Sequence, residues 1–536
     1  MSSSQPVEIV SKEKFKSQME DLEEHYDKHL NEKLPEFLHR GDIVGTNRLL
    51  GYADAMMATC AKFLVIPLRN LKEMEEHQSL SGFIHENRAE FVMFFLGFLV
   101  VLTIWESINI RSIVIKRLDD FLVLFLIFNM LLAAVLPFSL SIQGHYPDEQ
   151  VAIMVTCVVL LLLEIVELSV IFYAFATPRV LHMATHHWSK QGLKYFRNTL
   201  CIKPVVNSII IIIGGLLSLL HYVATWIFIS LIILMPLIRK FILLLRRRNK
   251  SQTEIEKCQF FWYFTRGNIS KERIECMSDA AVAIIACILI LDITVEEFPS
   301  KEKVEAHGLS KELKHMSTEF IIFLGCYTTV SMLWYINHTV LHLFHTLNVV
   351  LLYFQKLFLA FACLSPLGSN MLFKFASKNN DDTKLAVRVT ASFVLVSCIF
   401  NCLMLAWGFY TKKKYLHKWA VGKCWRSNLR QHLYVVLKVL TIPVWTIVCL
   451  LGTLGDASNV KYVTFATFGG VVLTFIVLKF IFMNHIGKEF YNPDTDPREA
   501  KLRQQEKAIG DDQTEFYEIK GDAIEKNNYS AENTVL

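Results

Sequence analysis

The stretch Arg48-Leu-Leu-Gly-Tyr-Ala-Asp-Ala55 opens a long apolar run, and Arg273-Ile-Glu-Cys-Met-Ser-Asp-Ala280 opens another near the middle of the chain. In both stretches five residues separate the Arg from the Asp, and an Ala follows the Asp. Two more landmarks recur in the same order and at nearly the same separation: Trp105 with Trp334, and Pro137 with Pro366. Three landmarks in one shared order predict an internal repeat.

The composition indicates a membrane protein. The chain has 536 residues, of which 53% are hydrophobic and 20% are charged, whereas soluble domains average about 45–50% and about 25%. The runs Pro204–Leu220 and Tyr222–Ile238 contain no charged residue, which suits the hydrocarbon core of a bilayer, about 30 Å thick. These features exclude a soluble enzyme, a disulfide-rich secreted domain and a disordered chain.

Apolar runs between charged breaks predict twelve membrane spans, which are helical because lipid satisfies no backbone polar group. The predicted fold is an all-α polytopic membrane protein whose twelve helices form two parallel six-helix repeats. The repeats cover 48–250 and 251–483. Residues 1–47 are predicted to form a cytosolic segment that is helical over 12–40. Residues 484–536 are predicted to form a disordered cytosolic tail. The predicted spans are 48–68, 87–110, 118–142, 150–176, 203–220, 222–244, 273–293, 317–338, 345–371, 386–410, 431–453 and 460–482.

The positions of the basic residues predict the orientation in the membrane. Lys and Arg are concentrated in the loops over 111–117, 179–203, 246–250 and 412–423. Cytosolic loops carry an excess of these residues, so both termini are predicted to lie in the cytosol. The even number of spans agrees with this orientation.

Other function classes find little support in the sequence. A net charge of +5 gives no reason to expect nucleic-acid binding, and the 12 Cys form no Cys-x-x-Cys pair. No catalytic constellation stands in a plausible setting, so neither an enzyme nor a cofactor is predicted. His338, His342 and His345 have a spacing that metal sites use, but a wet helix end is the preferred interpretation and no metal is predicted.

The repeated Arg-x5-Asp opening resembles the endosomal/lysosomal potassium and proton channel family of transmembrane protein 175. In that family the first helix of each six-helix repeat begins Arg-x-x-x-Phe-Ser-Asp. The resemblance extends over roughly 48–482. By its match to that motif, the chain is expected to contain a network of interacting side chains. Its members are Arg48, Tyr52, Asp54, Trp105, Arg273, Ser278, Asp279 and Trp334.

The resemblance implies a homodimeric channel in the endosomal or lysosomal membrane that conducts K⁺ and, as a second ion, H⁺. The first helices of all four repeats would line one central pore, with a hydrophobic constriction at Thr59 and Ile284. The chain departs from the family pattern in three ways. Neither stretch has the full Phe-Ser-Asp, Thr59 replaces an isoleucine, and Lys62 stands where a small or hydroxyl side chain is usual.

The residues themselves place two stripes on these helices. At 3.6 residues per turn, one face of the first helix carries Ala55, Ala58 or Thr59, Lys62 and Ile66. The matching face of the seventh helix carries Ala280, Ile284, Cys287 and Leu291. Small residues on a stripe permit close approach, either to a neighbouring helix or around a narrow pore. As a pore residue, Ile284 would act as a gate that closes by excluding water.

The two motif Asp residues have two compatible interpretations. Asp54 and Asp279 lie one turn inside their helices, where a carboxylate favours the positive end of the helix dipole. They are also placed to pair with Arg48 or Arg273 and so to hold the first helices in register.

Lys62 is the main difficulty for a K⁺ channel. A lysine deep in a membrane helix costs about 2.5–3.5 kcal/mol on insertion scales, so it is expected to be paired, hydrated or deprotonated. Glu164 and Glu167 in the fourth span are the candidate partners. A charged Lys62 facing the pore would oppose the passage of K⁺.

Two alternatives to a channel stay open at this stage. Twelve helices in two parallel halves also describe secondary transporters, although the loop 109–117 lacks the Gly-x-x-x-Asp-Arg-x-Gly pattern of the large twelve-helix transporter superfamily. Lys62 on the pore helix suggests the other, a membrane protein that does not conduct.

Overall fold

A computed structural model gives the structure of the protein. It describes residues 44–65, 68, 79–182, 185–186, 188–218, 221–249, 261, 264, 269–291, 301, 304–305, 308–375, 381–411, 415–417, 420 and 429–490. The helix predicted over 12–40 lies outside these residues, as does the tail beyond 490. The last described helix continues through 484–490, into the segment predicted as the tail.

The N-terminal half of the described chain is built from helices that follow one another through short connections. A strand β1, Val44–Gly45, leads into α1, and a strand β2, Arg117–Leu118, precedes α4. The helices are α1 Thr46–Phe63, α2 Leu80–Glu86, α3 Arg88–Ser112, α4 Asp120–His145, α5 Gln150–Ala176, α6 Lys190–Ser218 and α7 Val223–Asn249.

The C-terminal half has a similar order of elements. A strand β3, Ile269–Ser270, leads into α8, and a strand β4, Thr346–Leu347, precedes α11. The helices are α8 Lys271–Leu291, α9 Leu309–His315, α10 Ser317–His342, α11 Val349–Ala362, α12 Ser365–Phe375, α13 Asp381–Tyr410, α14 Leu429–Gly452 and α15 Ala457–Phe490.

The described residues contain nine segments that are long and apolar enough to cross a membrane. They correspond to nine of the twelve predicted spans, and they establish an all-α polytopic membrane protein. The first, sixth and seventh predicted spans are not among the nine. α1 and α8 carry the charged residues of the repeated motif, and the apolar part of α7 is the short stretch Val223–Ile238.

The ninth predicted span, 345–371, is divided into two helices in the structure. α11 ends at Ala362, α12 begins at Ser365, and Pro366 is the second residue of α12. Proline has no amide hydrogen and is tolerated in the first turn of a helix. By contrast, α4 continues through Pro137 without a break.

Burial separates central helices from peripheral ones. About two thirds of the apolar part of α3 is buried (67%), as is 72% of the segment Val349–Phe375, but only 11% of Tyr462–Phe482 in α15. α15 leaves large apolar side chains such as Leu473 and Phe480 uncovered by protein. A surface of this kind suits contact with lipid rather than with water.

Short ladders attach the starts of α1 and α8 to the rest of the chain, and side-chain caps stabilise the starts of α4 and α11. β1 pairs antiparallel with β2, and β3 pairs antiparallel with β4. Asp119 Oδ1 accepts the amide of Leu122 over 3.0 Å at the start of α4. In the same way Asn348 Oδ1 accepts the amide of Leu351 over 2.9 Å at the start of α11. Such N-caps satisfy amides that have no partner inside the helix.

Candidate functional site

The motif residues of α1 and α8 meet directly. α1 packs against α8, and Arg273 Nη2 donates to Asp54 Oδ1 over 2.8 Å. Trp105 Nε1 on α3 donates to the same oxygen over 2.8 Å, and Arg273 Nε donates to Asn109 Oδ1 over 3.1 Å. Asp54 is only 1% exposed, so this carboxylate is a buried junction between the two halves of the chain.

The second motif has one of these contacts and lacks the other. Trp334 Nε1 on α10 donates to Asp279 Oδ1 over 2.7 Å. Asp279 is exposed, and so is Arg48 at the start of α1. Among the described residues neither of them has an ion-pair partner. Arg273 of the second motif is therefore paired with Asp54 of the first, whereas Arg48 of the first motif and Asp279 of the second are available.

Ser278 belongs to a polar network inside the C-terminal half. Gln355 Nε2 donates to Ser278 Oγ over 2.8 Å and to Asn337 Oδ1 over 3.0 Å. Asn337 Nδ2 in turn donates to Gln355 Oε1 and to Asn401 Oδ1, both over 2.9 Å. All four side chains are buried, so the Ser of the motif ties α8 to α10, α11 and α13.

Each of the paired helices leaves one row of residues uncovered by protein. On α1 the row is Tyr52, Ala55, Thr59 and Phe63, of which Thr59 is half-buried and donates its hydroxyl to Ala55 O over 2.8 Å. On α8 the exposed residues are Cys276, Asp279, Ala283 and Cys287, with Ala280 and Ile284 half-buried beside them. We call these two sets of residues, one on α1 and one on α8, the uncovered rows. The side chain of Leu291, at the end of α8, lies outside the described part of the chain.

The structure removes Lys62 from the stripe on which its spacing places it. Its side chain is 1% exposed and its ammonium lies against the Cys363 thiol, at the break between α11 and α12. Within the described residues, Lys62 Nζ makes no hydrogen bond that meets standard geometry. A long flexible side chain can leave the face on which its Cα lies, and here it turns into the protein, away from Ala55 and Thr59.

The predicted pairing of Lys62 with Glu164 or Glu167 is wrong. Glu164 Oε1 accepts the amide of Asn207 over 2.7 Å, and its charged neighbours are Glu167, Lys203 and Arg111. These groups come from α3, α5 and α6, and they form a separate polar region. The spacing of Glu164 and Glu167 identified two buried carboxylates correctly, but the sequence contains no signal for which helix faces them.

A second buried ion pair was absent from the sequence-based prediction. Lys356 Nζ on α11 donates to Glu106 Oε2 on α3 over 2.6 Å and to Thr103 Oγ1 over 3.2 Å. Lys356 and Glu106 are 2% and 1% exposed. Both are single charges inside apolar runs, and that feature was the available signal. The pair joins the two halves of the chain at the residue that follows Trp105.

The histidines at the end of α10 take part in polar and aromatic contacts. The ring of His338 stacks on Trp334 at 5.6 Å, and its Nδ1 lies 4.0 Å from Glu275 Oε1. His342 Nδ1 lies 3.1 Å from Lys271 Nζ. In the described part of the chain no group of His, Cys, Asp and Glu is arranged to hold a metal.

The helices and the site together define a class: a polytopic membrane protein in which two charged helices, one from each half, pair through a buried Arg–Asp contact. The family model described as endosomal/lysosomal potassium channel TMEM175 matches residues 48–137 and 273–366. Both matched segments begin at the Arg of the repeated stretch. Over these two segments the chain is similar to the TMEM175 family.

Curated relatives are named as channels. A zebrafish (Danio rerio) protein named endosomal/lysosomal proton channel TMEM175 is 22% identical over 74% of this chain and 76% of its own length. Its human (Homo sapiens) counterpart is 25% identical over 67% and 72%. A protein of the cyanobacterium Chamaesiphon minutus named as a potassium channel is 26% identical over 24% of this chain and 63% of its own.

A solved structure is also similar. It is the crystal structure of a lysosomal potassium-selective channel TMEM175 homolog from Chamaesiphon minutus, at 18% identity. The alignment covers 39% of this chain and 97% of that one, with a TM-score of 0.30.

Proposed function

We propose that this protein is a cation channel of endosomal or lysosomal membranes, with K⁺ and H⁺ as its permeant ions. Its relatives are named as proton channels and as a potassium channel. The observation that carries the proposal is the pairing of α1 with α8 through Asp54 and Arg273, next to uncovered rows of small side chains. A channel needs such helices, close to one another and free on one side.

The chain is proposed to contain twelve spans in two parallel six-helix repeats, over 48–250 and 251–483. Corresponding contacts support this arrangement: Trp105 donates to Asp54 as Trp334 donates to Asp279. The β1–β2 ladder also has a counterpart in the β3–β4 ladder. The terminal segments 1–47 and 484–536 are proposed to be cytosolic, in accordance with the distribution of Lys and Arg.

A homodimer is proposed because Arg48 and Asp279 have no ion-pair partner among the described residues. Arg48 and Asp279 are exposed and carry opposite charges. A second copy would bring its Arg48 to Asp279 and so reproduce the contact that Arg273 makes with Asp54. The four helices, two α1 and two α8, would then close a ring around one axis, as a cyclic assembly requires.

In this ring the uncovered rows line the pore. Ala55 and Thr59 of α1 would face Ala280, Ile284 and Cys287 of α8, with Leu291 one turn further along. Phe63, which is 50% exposed, joins this proposed lining in place of the buried Lys62. Constriction at Thr59 and Ile284 would gate the pore by excluding water, since apolar narrow sections open only when they widen.

The burial of Lys62 also weakens the non-conducting alternative. That alternative rests on a positive charge in the pore, and the Lys62 side chain turns away from the uncovered row of α1. Replacing Lys62 in the proposed lining by Phe63 leaves an apolar wall that does not repel cations.

Patch-clamp recording of enlarged endolysosomes that express the chain tests the proposal. The expected result is a passive current that reverses near the K⁺ equilibrium potential, or near that of H⁺ when H⁺ is the main ion. Saturable flux coupled to a second solute, with no unitary current, would instead identify a secondary transporter. Arg388→Lys, far from the uncovered rows, serves as the matched control and keeps the wild-type current.

A further inference from the structure

A cavity lies among α3, α4, α5, α6 and α7, and none of its lining residues comes from α1 or α8. Its volume is about 20 Å³, which is enough for one water molecule. Its walls are largely apolar, but four helices each contribute polar groups. These are Thr103 and Ser107 from α3, Asn129 from α4, Glu164 and Glu167 from α5, and Lys203 and Asn207 from α6.

The charged groups around Glu164 are in contact or close to one another. Asn207 Nδ2 donates to Glu164 Oε1 over 2.7 Å, and Lys203 Nζ donates to Ser107 Oγ. Glu167 and Lys203 interact electrostatically with Glu164, and so does Arg111 at the end of α3. α4 and α7 face the cavity without a titratable side chain among its lining residues, through Asn129 and Ile232.

Three oxygen atoms in this region have no hydrogen-bond donor in the described part of the chain. They are Glu164 Oε2, Asn207 Oδ1 and Asn129 Oδ1, and each is inaccessible from outside the protein. Asn129 and Asn207 are 3% and 1% exposed. A buried acceptor without a donor costs about 1–3 kcal/mol, and native structures satisfy most such groups with protein or ordered water. A ligand that donates hydrogen bonds to these three oxygen atoms would therefore fit the cavity.

A metal cation does not suit this position. Its charge would add to those of Lys203 and Arg111, both of which already face Glu164. Water suits it, because a polar cavity with several unpartnered groups is where buried water is found. A proton suits it as well. When Glu164 binds H⁺, its carboxylate becomes a carboxylic acid, and one acceptor oxygen becomes a donor.

We propose that this cavity is hydrated and that Glu164 within it is a proton-binding site, separate from the pore proposed along α1 and α8. The proton arrives as hydronium through the water of the cavity, forms an O–H bond at Oε2 and leaves a neutral water molecule behind. That hydroxyl then donates to Asn207 Oδ1 or Asn129 Oδ1, directly or through one water. Protonation also removes one of the two like charges that Glu164 and Glu167 place one helical turn apart on α5.

Labelling of the full-length protein in lipid nanodiscs with dicyclohexylcarbodiimide tests this site. This apolar reagent enters membranes and reacts with protonated carboxylic acids to leave an adduct that mass spectrometry locates on a residue. The adduct is expected on Glu164, and its yield should increase as the pH is lowered from about 8 to about 5. Labelling does not require conduction, so its outcome is independent of the proposed channel activity.

Three variants make the result specific. Glu164→Gln should lower the total adduct on the α5 peptide at least about tenfold. Glu167→Gln, one turn along the same helix, should keep the adduct on Glu164 but move its formation to a lower pH, because the neighbouring like charge is gone. Asn207→Leu removes the donor to the ionised carboxylate, so the adduct on Glu164 should form at a higher pH. An adduct on Glu167 in place of Glu164, or a yield on Glu164 that does not change with pH, would overturn the assignment.

Infrared difference spectroscopy gives a second measurement if Glu164→Gln fails to fold. Wild-type protein is compared at high and low pH, and Glu164→Asp is compared in the same way. The carboxylic-acid carbonyl band that appears at low pH should shift in Glu164→Asp. No such band in the wild type, or a band unchanged in Glu164→Asp, would contradict the proposal.

Discussion

The guanidinium of Arg273 and the carboxylate of Asp54 are 2.8 Å apart, and they come from helices that begin in different halves of the chain. Asp54 is almost completely buried, so the contact replaces the water that a carboxylate would otherwise require. The pair therefore fixes the position of α8 against α1 through a charge-assisted hydrogen bond, which is stronger than a neutral one.

Removing Arg273 should destabilise the protein strongly. Arg273→Gln leaves Asp54 buried without its positive partner, and breaking such a pair costs about 3–5 kcal/mol. The melting temperature in detergent, followed by intrinsic fluorescence, is expected to fall clearly. Glu272→Gln, an exposed neighbour on the same helix, is the control and should leave it unchanged. A double variant, Asp54→Asn with Arg273→Gln, should recover part of the loss, and full additivity of the two changes would show that they do not interact.

Reversal of the second Arg–Asp pair tests the proposed dimer. Arg48→Asp should weaken dimerisation at least about tenfold, equivalent to about 1.4 kcal/mol, because it brings two carboxylates together. Asp279→Arg should have the same effect for the opposite reason. Combining both changes in one chain restores complementary charges and should restore the dimer, as measured by mass photometry in nanodiscs. A double variant as monomeric as the single ones would place the interface elsewhere.

Lys62→Met should leave ion selectivity unchanged and make the protein more stable. Met fills a similar volume without a buried amine, and a buried polar group that lacks a hydrogen bond is costly. The measurements are the reversal potential under a K⁺ gradient and the melting temperature. A changed reversal potential would show that the Lys62 side chain faces the pore. A lower melting temperature would show that the Lys62 ammonium has a partner outside the described residues.

Ile284→Asn should produce current at rest. A polar side chain in an apolar constriction stabilises water there, so a gate that relies on dewetting stays open. The matched control is Ile285→Asn, which places the same residue at a position that is 0% exposed and should reduce expression instead of opening the pore. Silent channels at normal expression in Ile284→Asn would contradict the gate assignment.

Glu106→Gln should lower the melting temperature by removing the negative partner of Lys356. Because both side chains are at most 2% exposed, the unpaired ammonium has no route to water, and the expected loss is again about 3–5 kcal/mol. Glu106→Gln together with Lys356→Met should be closer to the wild type than Glu106→Gln alone. A single variant that melts like the wild type would show that the pair contributes nothing to stability.

The local sequence predicted much of the architecture and some of the residues of the candidate site. Long apolar runs specify membrane helices through the bilayer itself, so nine predicted spans have described counterparts. The Arg-x5-Asp opening identified Asp54 and Arg273, because charges at the start of apolar helices are conspicuous. Sequence did not determine which Arg meets which Asp, since that depends on how the two halves pack together.

The sequence also did not predict the direction in which the long side chain of Lys62 points. Spacing placed the Cα of Lys62 on one stripe with Ala55, and that inference about the backbone was sound. The side chain, however, bends toward Cys363, which is far away in sequence and lies at a helix break that no local pattern specified. The same reason explains why Glu106 and Lys356 were not paired: each is a single charge, and only the packing of α3 on α11 makes them neighbours.

The Glu106–Lys356 pair limits how this protein can move. Alternating access in transporters requires one half to rock against the other, and here such rocking would pull apart two charges that have no water around them. The pair thus ties α3 to α11 and opposes such rocking. In the proposed channel, opening would be left to small displacements of side chains and helices along the uncovered rows, where few charges have to be separated.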